Sequence, residues 1–362
     1  MDLFIGLMSG TSLDGVDAVL VGFPESRMEV LANAYLPYPE AVRKQLLVLG
    51  GAGSDELHRS ALLSQVLSLL YAQAVAEVMR KAGVTSPDVR AVGCHGQTVR
   101  HRPDQGYTLQ LGNPALLAEK TGITVVADFR SRDIAAGGQG APLVPAFHKV
   151  VFGDPQTHRI ILNLGGIANV TNLYPSSAVT GFDCGPANIL LDAWIEADQG
   201  KSYDSEGAWG KSGTVVPGLL DELMAHPYFQ MSPPKSCGRE QFNLGWVRKH
   251  LRGHERSNDV QATLLNLTGR SIAMAIDRWC GRPAELYVCG GGAKNSALME
   301  LLGSTLPSVS ILKTDALGVP AELVEATAFA WLARQTLHGC AGNLPEVTGA
   351  QGYRVLGAIY PA

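Results

Sequence analysis

Short apolar runs alternate with polar, glycine-containing turns over the first part of the chain. The runs at 3–7, 16–21 and 29–38 predict three strands, and the polar turn at 9–15 separates the first two. No pattern of helical spacing interrupts them. The chain is therefore predicted to open with a β-meander rather than a strand–helix–strand unit.

A helix with one apolar face is predicted next, over residues 54–82. Ser54 suits its N-cap and Gly83 its end, because a basic pair precedes that glycine. Polar residues interrupt its most apolar part, which predicts a buried helix rather than a membrane span. Strands are then predicted at 89–93 and 123–127.

The same order of elements begins again near residue 155. A strand at 160–164, a turn at Gly165–Gly166 and a strand at 167–171 repeat the N-terminal pattern. This repetition predicts two like-folded α/β domains with a cleft between them. The remaining predicted elements are helices at 187–198 and 259–279, a strand at 286–289 and a helix at 320–338.

Composition narrows the possible functions of this 362-residue chain. A net charge of −4 argues against a nucleic-acid-binding protein. The N-terminus carries no basic secretory signal, and the six scattered cysteines suggest neither a disulfide framework nor a zinc site. A reducing, cytoplasmic compartment is expected. Glycine is in excess, with 41 residues, so backbone is expected to turn sharply or approach a ligand closely.

The turn at 9–15 is the first candidate phosphate site. Gly10 and Gly15 allow positive φ, so successive N–H groups can form an anion nest, and the hydroxyls of Thr11 and Ser12 add donors. The pattern is not that of a P-loop. An ordinary glycine-rich hairpin is the alternative. Gly165–Gly166 is a second candidate of the same kind.

Two later motifs lie where a predicted strand meets a helix. Asp183 is expected to project a carboxylate that accepts a proton during phosphoryl transfer. Its alternative role is to cap the helix that follows. The glycines at 290–292 would let an adenine or ribose approach the backbone, or would serve tight strand–helix packing.

Polar residues also follow the strands predicted at 89–93 and 123–127. Arg130 or Arg132 could hold a carboxylate through a bidentate fork, although a surface ion pair with a neighbouring aspartate would explain either arginine. His95 is a possible base, but a histidine in this position is more often a hydrogen-bonded structural residue.

Taken together, these motifs resemble the anhydro-N-acetylmuramic acid kinases of the actin/Hsp70/sugar-kinase superfamily. The likeness extends over essentially the whole chain, with its motifs in the family's order. Cys184 stands where threonine is often expected, which should not affect the chemistry. The segments that carry the resemblance are 6–17, 96–98, 128–130, 163–169 and 182–188.

The resemblance implies two ribonuclease-H-like domains, residues 1–150 joined by 335–362 and residues 151–334, with an interdomain cleft. It implies a cytoplasmic homodimer that uses ATP and Mg²⁺ and binds neither nucleic acid nor membrane. The implied enzyme is a phosphotransferase of peptidoglycan recycling. It opens the anhydro bridge of 1,6-anhydro-N-acetylmuramic acid with water and phosphorylates O6, giving N-acetylmuramic acid 6-phosphate and ADP.

The resemblance also suggests a role for individual residues. Asp183 would act on the attacking water and contact the sugar, Arg130 would bind the lactyl carboxylate, and Ser9, Thr98 and Glu325 would contact polar groups of the sugar. No residue is assigned as a metal ligand. The residues expected to bind the nucleotide are Ser9, Gly10, Thr11, Ser12, Leu13, Asp14, Gly15, Val16, Gly165, Gly166, Asn169, Gly290, Gly291, Gly292 and Asn295.

Two other functions are compatible with the same motifs. A conventional sugar kinase would phosphorylate a free hydroxyl, and oxygen from labelled water would then not enter the product. An ATP-switch protein of the Hsp70 type would need a peptide-binding region, and none is expected in this sequence.

Overall fold

The computed structural model describes residues 1–10, 12–24 and 28–362 and divides the chain into two compact units. The first unit comprises Met1–Val151 and Leu323–Ala362, and the second comprises Phe152–Glu322. The sequence predicts the second boundary after residue 334. The structure has it before Leu323, because the helix that follows packs on the sheet of the first unit.

In the part of the chain that the structure describes, twelve strands form two sheets, one in each unit. They are β1 (Asp2–Ser9), β2 (Gly15–Phe23), β3 (Glu29–Pro37), β4 (Val89–Arg102), β5 (Tyr107–Leu111), β6 (Val125–Ala127), β7 (Arg159–Leu164), β8 (Ile167–Leu173), β9 (Thr180–Pro186), β10 (Glu285–Cys289), β11 (Ser310–Lys313) and β12 (Ala358–Tyr360).

The helices lie mainly after the third strand of each sheet. They are α1 (Glu40–Leu49), α2 (Glu56–Ala82), α3 (Pro114–Thr121), α4 (Ser131–Ala135), α5 (Val144–Phe152), α6 (Asn188–Gln199), α7 (Ala208–Lys211), α8 (Pro217–Met224), α9 (Leu244–His250), α10 (Ser257–Trp279), α11 (Ser296–Thr305), α12 (Val324–Leu337) and α13 (Pro345–Thr348).

Both sheets have the same order and direction of strands. In the first unit the order is β3-β2-β1-β4-β6, and in the second it is β9-β8-β7-β10-β11. Each begins with two antiparallel pairings and continues with two parallel ones. The predicted repetition of a strand, a turn and a strand in two like-folded α/β units is therefore confirmed. The first sheet adds β12 beside β6 and β5 beside β4.

The strand β4 runs further than the sequence suggests. A strand is predicted at 89–93 and a loop after it, whereas the structure continues the strand to Arg102. Its first half pairs in parallel with β1, and its second half pairs antiparallel with β5. His95, Gln97 and Thr98 therefore project from a strand rather than from a loop.

Two glycines let α12 lie directly on the first sheet. A Cβ added at Gly6 of β1 would overlap the carbonyl oxygen of Ala326, and one added at Gly93 of β4 would overlap that of Phe329. No side chain separates the helix from these strands, so glycine is required at both positions. Part of the glycine excess therefore serves packing.

The opposite face of this sheet is covered by α2. Leu63, Leu67 and Tyr71 are buried in the same apolar cluster as Ile5 and Leu20. By length and composition α2 is also apolar enough to cross a membrane. Its packing on β2 and β3 is that of a core helix, as the sequence predicts. The helix starts at Glu56 after Asp55, so Ser54 is not its N-cap.

Candidate functional site

The β1–β2 hairpin contains the first candidate phosphate turn. Neither Gly10 nor Gly15 has positive φ; the residue that does is Leu13, at +59°. Gly15 is needed for space instead, because a Cβ there would lie 2.5 Å from the carbonyl oxygen of Leu36. Thr11 lies outside the described residues. Gly10 and Gly15 therefore do not adopt the positive φ that the sequence suggested for them.

Ser9 is enclosed at the end of β1, with 2% of its surface exposed. Its hydroxyl donates to Oε1 of Gln97 and accepts from the hydroxyl of Tyr38, which lies 2.5 Å away. Gln97 also donates to the carbonyl oxygen of Gly10, at 3.0 Å. The proton of the Ser9 hydroxyl and one of its two lone pairs are thus used within the protein, and the hydroxyl supports the turn.

His95 joins the same turn to Arg130. The Nε and Nη2 groups of Arg130 donate to Nε2 of His95, at 3.2 and 2.9 Å. Nδ1 of His95 therefore carries the proton and donates to the carbonyl oxygen of Ser9, at 3.3 Å. Burial and the charge of Arg130 lower the pKa of His95 to about 3. His95 is a neutral structural residue at pH 7, not a base.

Arg130 is held so that two of its donors remain for a ligand. Besides the two bonds to His95, its Nη1 donates to the carbonyl oxygen of Gly140, at 2.8 Å. A guanidinium has five N–H donors, and three are used here. Burial lowers the pKa of Arg130 to about 10, which leaves it charged at pH 7. Arg130 thus bonds to His95 and Gly140, instead of forming the surface ion pair that was the alternative explanation for this arginine.

Asp133 forms structural hydrogen bonds close to Arg130. Its carboxylate accepts from the backbone N–H of Gly140 and from the side chains of Asn343 and Thr348, each at 2.8 Å. The carboxylate is fully buried. It ties the loop that receives Arg130 to the C-terminal segment. Arg132, the other arginine suggested by the sequence, is exposed.

Glu325 lies in the first turn of α12. Burial raises the pKa of its carboxyl, and the charge of Arg130 opposes that change. The negative charge of Glu325 in turn favours the charged guanidinium. The charges of Arg130 and Glu325 therefore act on each other, which agrees with the prediction that both residues bind the sugar.

A cavity of about 250 Å³ lies in the first unit, next to His95. Polar side chains of His95, Gln110, Asn113, Asp128 and Ser131 line part of its wall. The cavity lies beside the middle of β4 and the end of β6. Thr98 accepts a hydrogen bond from Gln110 Nε2 at 3.1 Å and so lies next to this wall.

In the second unit, the β7–β8 turn contacts the start of α6 and the glycine segment 290–292. Gly165 and Gly166 have no close neighbour over their Cα atoms. The backbone N–H groups of Asn188 and Ile189 donate into the turn, at 3.1 and 3.0 Å. A Cβ at Gly292 would lie 2.7 Å from that of Leu164, so the 290–292 segment packs directly against the turn.

The two asparagines assigned to the nucleotide have different positions. Asn295 caps α11, its side chain accepting from the N–H of Leu298 at 3.0 Å, and it packs against Gly207. Asn169 lies in β8, opposite Asn163 on one side and Asp183 on the other. Opposed side chains in antiparallel strands lie on the same face, so these three form one polar row across the sheet.

Asp183 lies inside β9 rather than at a helix N-cap. The helix α6 begins at Asn188, and the cap that the sequence offered as an alternative role for Asp183 is therefore not formed. Its Oδ2 accepts from the N–H of Cys237, at 3.0 Å. Burial raises the pKa of this carboxyl to about 6, against the effects of that N–H and of Lys235. Such a carboxylate is a good proton acceptor at neutral pH.

The segment that surrounds Asp183 was not identified from the sequence. The N–H of Asp183 donates to the carbonyl oxygen of Lys235, at 3.1 Å, and the hydroxyl of Tyr228 donates to the carbonyl oxygen of Asp183, at 2.7 Å. The pair Pro233–Pro234 before Lys235 signals a loop, but nothing in the sequence shows that this loop returns to β9.

Among the described residues, no group of three or more His, Cys, Asp or Glu side chains lies close enough to hold a metal ion. Mg²⁺ in kinases is commonly held by substrate phosphates, waters and one or two carboxylates.

Comparison with known proteins gives a full-length match. The family model described as anhydro-N-acetylmuramic acid kinase matches residues 2–362. Proteins of that name from Nitrosospira multiformis and Nitrosomonas europaea are each 55% identical over 361 residues, with 99% of both chains covered. The protein of that name from Pseudomonas putida is 53% identical over 364 residues, with 100% of both chains covered.

Similar solved structures are much more distant. One is a ROK family glucokinase from Streptomyces griseus in complex with glucose and AMPPNP, with 16% identity and a TM-score of 0.42 over 92% of this chain and 99% of that chain.

Proposed function

This chain belongs to the anhydro-N-acetylmuramic acid kinase family, and on that premise we propose that Asp183 is the base that activates water to open the anhydro bridge of the sugar. The chain is an enzyme, an ATP-using kinase of anhydro-N-acetylmuramic acid. One observation supports this role for Asp183. Its carboxylate is held by the N–H of Cys237, and burial raises its pKa to about 6.

The chemistry of the substrate requires an unusual base. The bridging O6 is bonded to C1 and has no proton, so a base has nothing to remove from it. Asp183 instead takes a proton from water as the water oxygen bonds to C1. The C1–O6 bond then breaks, and its electron pair stays on O6. O6 attacks the γ-phosphorus, and ADP leaves with the electron pair of the bond that joined it to the γ-phosphorus.

The nucleotide phosphates are assigned to the two glycine-containing hairpins. The β1–β2 and β7–β8 turns occupy the same place in two sheets of the same strand order. We assign backbone N–H groups of 10–16 and 165–166 to the phosphates, and 290–292 to the adenosine. Asn169 lies next to Asp183 and is assigned to the γ-phosphate end. Mg²⁺ bound with ATP would neutralise phosphate charge during transfer.

The sugar is assigned to Arg130, Glu325 and Thr98, with Asp183 at C1. The two N–H donors of Arg130 that are not used by His95 or Gly140 suit the lactyl carboxylate. Glu325 can accept from a sugar hydroxyl. Ser9, whose hydroxyl is enclosed, is assigned to support of the phosphate turn instead of direct contact with the sugar.

Three finer proposals concern the organisation of the protein. We propose that the two structural units are the two functional domains, that the enzyme works as a homodimer and that it is cytoplasmic. The last is supported by Cys94, Cys184, Cys237, Cys280 and Cys340, which are free thiols. The homodimer is supported by the family resemblance.

The reaction is tested by mass spectrometry of the product. Incubation with ATP, Mg²⁺ and 1,6-anhydro-N-acetylmuramic acid should give a product heavier than the substrate by one phosphoryl group and one water. In water labelled with oxygen-18, the label should appear at C1. A product heavier by a phosphoryl group alone, with no label, would show a conventional sugar kinase and refute the proposed role of water.

Replacing Arg130 by lysine should raise the KM for the sugar by about 10- to 100-fold, because lysine cannot form the bidentate fork. The KM for ATP should change little. Steady-state kinetics with 1,6-anhydro-N-acetylglucosamine provide the decisive comparison. This analogue lacks the lactyl carboxylate, so Arg130→Lys should affect its KM far less.

Arg132→Lys is the matched control, since Arg132 is exposed two residues away. It should leave both KM values unchanged. An equal effect of Arg130→Lys on the two sugars would contradict the assignment of Arg130 to the carboxylate.

A further inference from the structure

One face of α2 is apolar and exposed, while the opposite face is buried in the core of the first unit. Leu62, Val66 and Leu69 are 55%, 41% and 43% exposed. With the exposed Ala76 they recur at intervals of four, three and seven residues, which places them along one side of the helix. The buried residues of α2 lie on its other side. Only part of the helix surface is therefore used for packing within the chain.

The exposed face of α2 carries no charge along most of its length. All residues from 60 to 76 are uncharged, a length of more than four helical turns. The exposed face of a helix in a soluble protein usually carries charged side chains, whereas the exposed polar groups of these turns are the amides of Gln65 and Gln73. Leu47 and Val48 of α1, which packs against α2, add further exposed apolar surface. A surface of this kind is typical of a protein–protein interface.

The carboxylate, guanidinium and ammonium groups of α2 are confined to its two ends. Antiparallel packing of a second copy would place the acidic start of one helix beside the basic end of the other, and Arg59 beside Glu77. Parallel packing would place like charges together. Within the chain Glu77 already binds Arg80 at 2.7 Å, and its carboxylate has lone pairs left for a second guanidinium. The charges therefore favour antiparallel self-association. The start carries Asp55, Glu56 and Arg59, and the end carries Glu77, Arg80 and Lys81.

Leu69 lies at the midpoint of this face. In an antiparallel pair related by a two-fold axis at Leu69, residues equally distant from it on either side meet each other. Gln65 and Gln73 lie four residues before and after it, so the amide of each meets the amide of the other in the second copy. Leu62 and Ala76 lie seven residues before and after it, so a large side chain meets a small one. The face is thus complementary to itself in both polarity and size.

We propose that the uncharged face of α2 binds the same face of a second copy of this chain, antiparallel and with Leu69 at the two-fold axis. The proposal rests on the proposed homodimer and assigns it a surface, a direction and a register. Burial of Leu62, Val66 and Leu69 on both copies favours association, because it removes apolar surface from water. The charges at the two ends of the helix select the direction.

A lipid surface is the other occupant that an apolar helix face could have. By length and composition α2 is apolar enough to cross a membrane, yet its opposite face is packed in the core. Helices that lie on membranes are usually rich in lysine and arginine, which attract anionic lipids. The ends of this face carry Asp55, Glu56 and Glu77 as well as basic residues. These mixed charges match a second copy of the chain better than a membrane.

Sedimentation equilibrium measures the association of the chains. The parent enzyme should have twice the 38.4 kDa mass of one chain. Leu69→Glu places two carboxylates together at the axis and should raise the dissociation constant of the dimer at least about 100-fold. Leu69 is exposed, so thermal melting should show the variant folded like the parent. Leu337→Glu, at an exposed leucine of α12, is the matched control and should remain a dimer.

Disulfide cross-linking tests the direction and the register. The exposed Cys340 is first replaced by serine, and each variant is then oxidised with diamide. Leu69→Cys should give a covalent dimer, because its two copies meet at the axis, within the roughly 4–7 Å between Cα atoms that a disulfide requires. Leu57→Cys should run as a single chain on a non-reducing gel. Leu57 is 88% exposed but lies twelve residues from the axis, which separates its two copies by about 36 Å.

The results separate the proposed surface from the proposed homodimer. A dimer that survives Leu69→Glu would overturn the surface alone, and cross-linking through Leu57→Cys instead of Leu69→Cys would overturn the antiparallel register. A monomeric parent would overturn both the homodimer and the surface, and its binding to vesicles of phosphatidylcholine and phosphatidylglycerol would show a lipid-binding face instead. If Leu69→Glu does not fold, cross-linking of Leu69→Cys decides. Mass spectrometry of the product, on the same samples, reports separately on the reaction.

Discussion

Replacing Asp183 by asparagine is expected to lower the turnover of the anhydro sugar by about 10²- to 10⁴-fold, the usual contribution of a general base. Asparagine has nearly the same shape, and its side-chain oxygen can still accept from the N–H of Cys237. What it cannot do is take the proton of water. Binding of the sugar, measured by calorimetry, should stay within a few-fold of the parent enzyme, while ADP release falls.

A matched control is available in the next helix. Asp192 in α6 also has a carboxyl whose pKa burial raises, to about 7, but it lies outside the proposed chemistry. Asp192→Asn should keep turnover within about threefold of the parent enzyme. Equal losses in the two variants would mean that the effect comes from burial of a carboxyl and not from base catalysis. Undiminished turnover in Asp183→Asn would exclude Asp183 as the base.

Substituting alanine for Gly93 is expected to destabilise the first unit by about 3 kcal/mol or more, at the upper end of overpacking effects. The added Cβ would overlap the carbonyl oxygen of Phe329 and lie 2.8 Å from its carbonyl carbon. Backbone cannot rotate out of the way as a flexible side chain can. The helix α12 must therefore lift from the sheet, and Glu325 moves with it.

Urea unfolding, followed by far-ultraviolet circular dichroism, measures this loss. Gly303→Ala is the comparison, because Gly303 is in α11 and has no neighbour within 4 Å of an added Cβ. That variant should be as stable as the parent or slightly more so, given the better helix propensity of alanine. Parent-like stability of Gly93→Ala would show that α12 is not in direct contact with β4.

Local patterns in the sequence were sufficient to predict the repeated order of elements in the two units. Alternating apolar residues and the glycine turns at 9–15 and 165–166 mark the two hairpins. The parallel pairings of β1 with β4 and of β7 with β10 were not predicted. Long-range pairing was not predictable in the same way. The extension of β4 to Arg102 depends on β5, and residues 94–98 carry no sign that they have a partner.

The candidate site was predicted in part for the same reason. Residues within one motif, such as Asp183 and Gly165–Gly166, stand out in the sequence. The role of Ser9 depends on Gln97 and Tyr38, which are distant along the chain, and its enclosure is a tertiary property. The positive φ of Leu13 shows a related limit, because the sequence suggested positive φ at the two glycines of this turn and not at Leu13.

The first unit is made from both ends of the chain, and this has a consequence for biosynthesis. As the ribosome releases the chain, residues 152–322 emerge before Leu323–Ala362, so the second unit has all its residues while the first still lacks α12 and β12. Until α12 arrives, the glycine-bearing face of β1 and β4 has no cover, and Arg130 has no Glu325 beside it. Arg130 and Glu325, the residues proposed to bind the sugar, are thus brought together only when synthesis of the chain is almost finished.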